Sequence, residues 1–150
     1  MDAKLPFYAR AVDDGWTEAE LMRLYLHELP RTVVAMEPEE RARLLGERPP
    51  LTGTHWDALL AAVTEHLCEL HGIEPPGWSQ ERERFLRIPW IVGVTREMQR
   101  ESTAFAPAAF IRHGAIANPR ELDARGGEVH VWVPGSQPHH EAFREALRRA

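Results

Sequence analysis

Histidines are the residues of this chain best suited to metal chemistry, and three of its eight fall near the C-terminus. His130 lies on the polar side of an alternating segment, and His139 and His140 follow it after a short loop. Because imidazole is a common metal ligand, these three could serve a small metal-dependent hydrolase. His66 and His71 are five residues apart and would point about 140° apart on a helix, whereas zinc ligands on one helix are usually four apart. They therefore do not predict a zinc site.

Other catalytic patterns are weak. Glu65 and Glu69 are i,i+4 neighbours, but no histidine is expected on their face, so we predict a solvated surface there. Cys68, the single cysteine, lies in a stretch predicted to be helical and buried, which favours a structural role. The chain has no Cys-x-x-Cys, no His-Glu-x-x-His, no glycine-rich phosphate loop and no Gly-x-Ser-x-Gly. The balance favours a protein without enzymatic activity, and no cofactor is expected.

Aromatic and arginine side chains interleave between residues 78 and 113, which is typical of binding surfaces. Tryptophan, tyrosine and arginine dominate the energetic hot spots of protein interfaces. The pattern therefore predicts a protein-binding surface, with Trp78, Arg84, Phe85, Trp90, Phe110 and Arg112 as its candidate residues. Two alternatives stay open: the same residues could form a small helical core with arginines at its rim, or they could bind single-stranded nucleic acid.

The charge distribution argues against a nucleic-acid partner. The net charge is −5; residues 1–75 carry 14 acidic and 7 basic side chains, and the remainder carries 9 acidic and 11 basic ones. Autonomous nucleic-acid binders usually have a clear positive excess. A helix-turn-helix over 108–123 would present Arg120, Glu121 and Asp123, which is too acidic for a DNA groove. The acidic first half would instead complement a basic partner protein.

Capping residues and apolar spacing predict helices in the first half of the chain. Thr17 and Glu20 have the form of a capping box, and the helix that they begin should end at Pro30. A short helix is predicted over 38–46. The strongest signal is at 54–72, where apolar residues recur with helical period up to a terminal glycine.

In the second half, 88–94 is predicted to be a buried loop and 128–133 a strand, because valines alternate there with other residues. That strand could pair with 111–117 or with its own copy in a homodimer. Helices are also predicted at 79–86 with Ser79 as its cap, 96–105, 108–113, from Asn118 to 123, and 139–149. The predicted fold is mainly α, a small helical domain with a short β-strand element near the C-terminus.

Length and composition predict one domain over 1–150, with an N-terminal helical segment at 1–48 and a main body at 54–150. A proline-rich linker separates the two. No run of 18 apolar residues predicts a membrane span, and no secretory signal is expected at the start of the chain. A single cysteine fits the reducing cytoplasm, which is the expected location.

Several short stretches together resemble a known group of proteins. They are EPEER at 37–41, PPLTG at 49–53, WDALLAA at 56–62, EHL at 65–67, PGW at 76–78, RFL at 84–86 and APAAFIRHG at 106–114. The group consists of small, largely uncharacterised bacterial proteins. Their genes often lie beside a predicted nucleotidyltransferase-type toxin gene, or they carry the same segment behind a DNA-binding helix-turn-helix domain. The resemblance covers roughly residues 35–123.

The resemblance implies an antitoxin-like or regulatory partner of a neighbouring gene product and carries over no catalytic residue. Together with the charge division, it leads us to expect a non-enzymatic protein-interaction module. Its acidic N-terminal half would shield a basic toxin surface, and its aromatic and arginine residues would supply buried anchors. The alternatives are a small metal-dependent hydrolase and a DNA-binding transcriptional regulator.

Overall fold

Helices dominate the computed structural model, which describes residues 4–118. The α-helices are α1 Leu5–Asp13, α2 Glu18–Arg23, α3 Leu29–Ala35, α4 Pro38–Gly46, α5 Trp56–His71, α6 Arg96–Phe105 and α7 Ala108–His113. A π-helical segment, Leu24–Glu28, joins α2 to α3, and two 3-10 turns span Gly77–Gln80 and Arg82–Arg84. The strands are β1 Trp90–Ile91 and β2 Ala115–Ile116. The predicted fold class, mainly α with a short strand element near the C-terminus, is confirmed.

The capping box at Thr17 is present, but the predicted end of its helix at Pro30 is wrong. The Thr17 hydroxyl accepts from the Glu20 amide, and the Glu20 carboxylate accepts from the Thr17 amide. The helical path then continues through Pro30 because the π-helical segment comes just before it. There the Leu29 amide donates to the Leu24 carbonyl, five residues back. This wider turn relieves the clash that a proline ring makes with the carbonyl four residues earlier.

Helix α5 is the centre of the core. It ends as predicted at Gly72, which has a positive φ of 66° and caps the helix in the left-handed conformation. Every residue from 56 to 68 is buried, because α1, α7, β2 and both 3-10 turns pack around this helix. The predicted solvated surface is therefore wrong for Glu65, which is buried; Glu69 is exposed.

The predicted helix at 79–86 is replaced by the two 3-10 turns. Ser79 does not cap a helix, since its hydroxyl donates to the carbonyl of Pro76 at 2.7 Å. The indole Nε1 of Trp78 donates to the Leu45 carbonyl at 3.0 Å, at the end of α4. The Trp78 bond holds the segment against α4, the Ser79 bond closes a local turn, and together they outweigh the weak helical pattern of the segment.

The segment after the turns forms a short parallel pair of strands. Trp90 pairs with Ala115, and Ile91 pairs with Ile116. The predicted buried loop over 88–94 is thus wrong in part: it contains β1, and although Val92 is buried, Ile91 is exposed. A strand does form within 111–117, but its partner among the described residues is β1.

Two later helices agree with their predictions. The Thr95 hydroxyl accepts from the Met98 amide at 3.1 Å and caps α6, and Gly114 ends α7 with a φ of 78°. Among residues 4–118, none of the helices combines the length and the apolar character that crossing a bilayer requires. Several predictions lie outside the described residues. They are the strand at 128–133, the helix at 139–149, the helix from Asn118 to 123 except for Asn118 itself, and His130, His139 and His140.

Candidate protein-interaction face

The six predicted partner-binding residues divide into buried and accessible side chains. Trp78, Arg84 and Phe110 are buried, Phe85 and Trp90 are half-buried, and Arg112 is exposed. The buried three cannot touch a partner directly in this structure. They pack within the core, so any direct contact with a partner would have to involve the accessible side chains.

That surface carries apolar side chains that the sequence patterns did not single out. Of the six exposed large hydrophobic residues among residues 4–118, five lie between residues 88 and 111, and the sixth is Trp16. Four of the five lie in β1, beside it, or on the helix that leads into β2. They are Ile88 (83% exposed), Ile91 (45%), Val94 (49%) and Ile111 (60%), and we call them the interaction face.

Backbone hydrogen bonds position the interaction face by joining residues 86–92 to residues 113–116. The amide of Leu86 donates to the His113 carbonyl at 2.9 Å, and the amide of Trp90 donates to the Gly114 carbonyl at 2.8 Å. Ile88 lies between these two bonds. A Cβ on Gly114 would lie 3.0 Å from the Leu86 carbonyl oxygen, so the close approach of the two segments requires glycine at this position.

Beneath this face, Glu65 of α5 is the centre of a buried polar network. Its Oε2 accepts from Arg112 at 2.5 Å, and its Oε1 accepts from Nε2 of His113 at 3.0 Å and from the Gln80 amide. The other His113 ring nitrogen, Nδ1, lies 2.6 Å from the Arg84 carbonyl. Burial raises the pKa of the Glu65 carboxyl, but hydrogen bonds from Arg112, His113 and Gln80 outweigh it, and the pKa lies below its ordinary value. The network therefore holds an ionised carboxylate that ties α7 to α5.

Arg84 is a second buried anchor, and it joins the main body to the linker. Its Nη2 donates to the Pro49 carbonyl at 2.6 Å, and its Nε donates to Glu81 at 3.0 Å. The guanidinium lies 4.7 Å from the ring centroid of Trp78, a cation–π distance. Burial raises the pKa of Glu81, but hydrogen bonds from Arg48 and Arg84 outweigh it, so the pKa lies below its usual range. These contacts hold residues 77–86 in the shape that precedes β1.

Aromatic packing orients the half-buried residues. His55 stacks on Trp90 with 3.7 Å between ring centroids, and Trp56 meets the same indole edge-on at 4.9 Å. Partial burial lowers the pKa of His55. Phe85 stacks on His113 at 4.2 Å. Trp90 and Phe85 therefore act as packing contacts between the face and the core, and each keeps part of its surface in solvent.

Two observations on the sequence bear on the interaction face: the apolar run has no regular period, and arginines flank it. The apolar run 88–94 contains Pro89 and Gly93 and has no helical or alternating period, so a pattern of this kind does not establish burial. Arginines also flank the run: Arg87 and Arg96 are both exposed in the structure. Arginines at the margins of an apolar run are more typical of an interface than of a core.

Possible metal ligands and the thiol of Cys68 bear on whether the described residues form a catalytic site. Within 4–118, no group of three or more His, Cys, Asp or Glu side chains is arranged to hold a metal ion. Cys68 is buried, and burial, together with the negative charges of Glu65 and Glu69, raises its pKa to about 12. At neutral pH it is a protonated thiol and a poor nucleophile. No family model, no curated protein and no solved structure matches this chain.

Proposed function

We propose that this protein is a non-enzymatic interaction module, an antitoxin-like or regulatory partner of a protein encoded by a neighbouring gene. The observation that carries the proposal is the interaction face. Exposed large apolar side chains that gather in one part of a soluble protein make that part a candidate binding surface. Burying one isoleucine contributes roughly 1.5–3 kcal/mol, so a partner that covers Ile88 and Ile111 would gain much of its affinity from these two residues.

The rigid support beneath the face favours binding. Hydrogen bonds of Glu65 to Arg112 and to His113 fix α7, and the paired strands fix the segment that carries Ile91. A preorganised surface loses little conformational entropy when it binds, so more of the contact energy appears as affinity. The arrangement therefore suits an interface better than a mobile apolar loop would.

A second surface, on the N-terminal helices, supports the proposal that the partner is basic. Exposed carboxylates outnumber exposed cations over residues 4–46: Asp13, Asp14, Glu18, Glu20, Glu37, Glu39 and Glu40 against Lys4, Arg10, Arg23, Arg31 and Arg43. Such a surface attracts a basic protein and speeds encounter, while the apolar face supplies the lasting contact. The resemblance of residues 35–123 to proteins encoded beside toxin genes points to the same class of partner.

The test is co-expression with the product of the neighbouring gene, followed by size-exclusion chromatography with light scattering. We expect one peak with the summed mass. In the Ile88→Glu/Ile111→Glu double variant we expect affinity to fall about tenfold or more, since charge is placed where apolar contact is needed. The matched control is Ala35→Gln/Ala42→Gln, which changes two exposed alanines on the N-terminal helices without changing the charge of that surface. Two separate peaks with unchanged toxicity of the partner would contradict the proposal.

A further inference from the structure

The strand β1 has one edge that faces away from its partner. The amides of Trp90 and Val92 both donate to β2, to Gly114 and Ile116 respectively, at 2.8 Å. Because backbone groups alternate in direction along a strand, the N–H and C=O of Ile91 lie on the opposite edge. Such an edge is a template for pairing with another extended chain.

The two outer edges of this small sheet differ in their surroundings. On β2 the outer edge runs along Ala115 and Ala117, and both residues are fully buried. On β1 it runs along Ile91, which is exposed, and exposed Ile88 and Val94 flank it. Beyond Ile91 the strand ends, because the Val92 and Gly93 carbonyls accept from Ser102 and Gln99 of α6. The accessible edge is therefore short, is centred on Ile91 and is surrounded by apolar side chains.

We propose that this edge binds an extended segment of the partner protein, which adds to β1 as a further strand. The inference rests on the proposed function and names its mode of binding. Main-chain hydrogen bonds to Ile91 would set the direction of the segment, and the exposed side chain of Ile91, with Ile88 and Val94 before and after it, would favour apolar side chains in that segment. A single pair of main-chain bonds is weak, so the apolar contacts carry most of the affinity.

The charged residues near β1 indicate which side chains should separate the apolar residues of the bound segment. Among residues 82–112 the exposed charged side chains are Arg82, Arg87, Arg96, Arg100 and Arg112 against Glu83 and Glu97. Arg87 is next to Ile88, and Arg96 follows Val94 by two residues. A segment in which apolar residues alternate with aspartate or glutamate fits this surface.

The same charges disfavour a second copy of this chain. A two-fold interface through β1 would place Arg87 of each copy near Arg96 of the other, and like charges at an interface cost binding energy. The predicted strand 128–133 of this chain is the remaining competitor. It contains one acidic residue, Glu128, and so offers less to these arginines than an acidic segment does.

The experiment uses the full chain and two synthetic ten-residue peptides, one alternating valine with glutamate and one alternating valine with lysine. Binding is measured by fluorescence anisotropy. We expect the glutamate peptide to bind, and the lysine peptide to bind at least about tenfold more weakly. Arg87→Glu/Arg96→Glu should reverse that preference. Arg31→Glu/Arg43→Glu, which changes two exposed arginines on the N-terminal helices, should leave it unchanged.

Ile91→Pro tests the main-chain contact. Proline removes the amide of the outer edge and leaves the Trp90 and Val92 bonds to β2 in place, so the variant should fold and lose peptide binding. Ile91→Val should keep it, and circular dichroism should give both variants the same melting behaviour within a few degrees. If Ile91→Pro fails to fold, hydrogen exchange replaces it: glutamate-peptide binding should then slow exchange at the Ile91 amide.

Several outcomes would overturn the inference. These are equal binding of the two peptides, unchanged binding by folded Ile91→Pro, or no peptide binding with the Ile91 amide already protected in the free protein. The last outcome would mean that residues 128–133 or a second copy occupies the edge, and light scattering separates those two. Co-elution with the neighbouring gene product without peptide binding would refute the strand edge alone. Peptide binding without co-elution would refute the proposed partner instead.

Discussion

Glu65 and His113 form a buried pair in which the carboxylate Oε1 lies 3.0 Å from the imidazole Nε2, with 1% and 0% of the two residues exposed. The two residues are 48 positions apart in the sequence. The carbonyl of His113 also accepts the Leu86 amide. One pair thus connects the central helix, the helix beneath the interaction face and the segment that leads to β1.

Replacing the carboxylate should be costly. In Glu65→Gln we expect a loss of roughly 2–4 kcal/mol in the free energy of unfolding, because Arg112 loses its anionic partner and His113 loses its carboxylate hydrogen-bond acceptor. Urea denaturation followed by tryptophan fluorescence measures it. Glu69→Gln is the matched control; Glu69 is half-exposed and 3.4 Å from the same Arg112, so its change should stay below about 0.5 kcal/mol. Equal effects of the two substitutions would show that burial of Glu65 is unimportant.

The same carboxylate predicts a pH dependence. The pKa of Glu65 is lowered in the folded protein from its ordinary value of 4.5, so its contribution to stability is present above that value and lost as pH falls through the folded-state pKa. The difference in unfolding free energy between the unmodified protein and Glu65→Gln should therefore shrink as the pH falls below about 4.5. The pKa of Glu81 is also lowered, but Glu81 is present in both proteins, so its contribution cancels from the difference. A difference that stays constant over this range would contradict the prediction.

Arg84 should not tolerate lysine. A lysine ammonium cannot reproduce the separate bonds of the guanidinium to Pro49 and Glu81 while also packing on Trp78. We expect Arg84→Lys to lower the melting temperature clearly, with a cost of roughly 2–4 kcal/mol, since the side chain is fully buried. Arg82→Lys, at an exposed position two residues earlier, should change stability by less than about 0.5 kcal/mol. Differential scanning calorimetry compares the two.

Cys68 should report on unfolding. Its thiol is buried and its pKa is raised to about 12, so iodoacetamide should label it very slowly in the native protein at neutral pH. Labelling should become fast only at urea concentrations where the protein unfolds. Mass spectrometry of samples quenched at intervals measures the rate. Rapid labelling of the native protein would mean that α5 opens locally near Cys68.

Features that depend on nearby residues could be predicted from the sequence. The caps at Thr17 and Thr95 and the helix ends at Gly72 and Gly114 each depend on residues within about one helical turn. Their side chains or φ angles satisfy backbone groups in their own element, so spacing along the chain was sufficient to identify them.

Features that depend on distant residues could not be predicted. On a helical wheel Glu65 lies off the apolar stripe of α5, and its partners Gln80, Arg112 and His113 come from segments far along the chain. Ile88 was expected to be buried because it belongs to an apolar run, yet no other element covers it among the described residues. Sequence patterns reveal that a residue can be buried, whereas the packing of other elements decides whether it is.

The π-helical segment Leu24–Glu28 has a consequence for how the chain tolerates insertions and deletions. A π turn takes up one more residue than an α turn, which rotates everything after it by about 100° relative to a continuous α-helix. This rotation keeps the fully buried Leu29 and Val33 on the same side as Leu21 and Tyr25. Deleting one residue here would turn α3 away from the core and restore the proline clash.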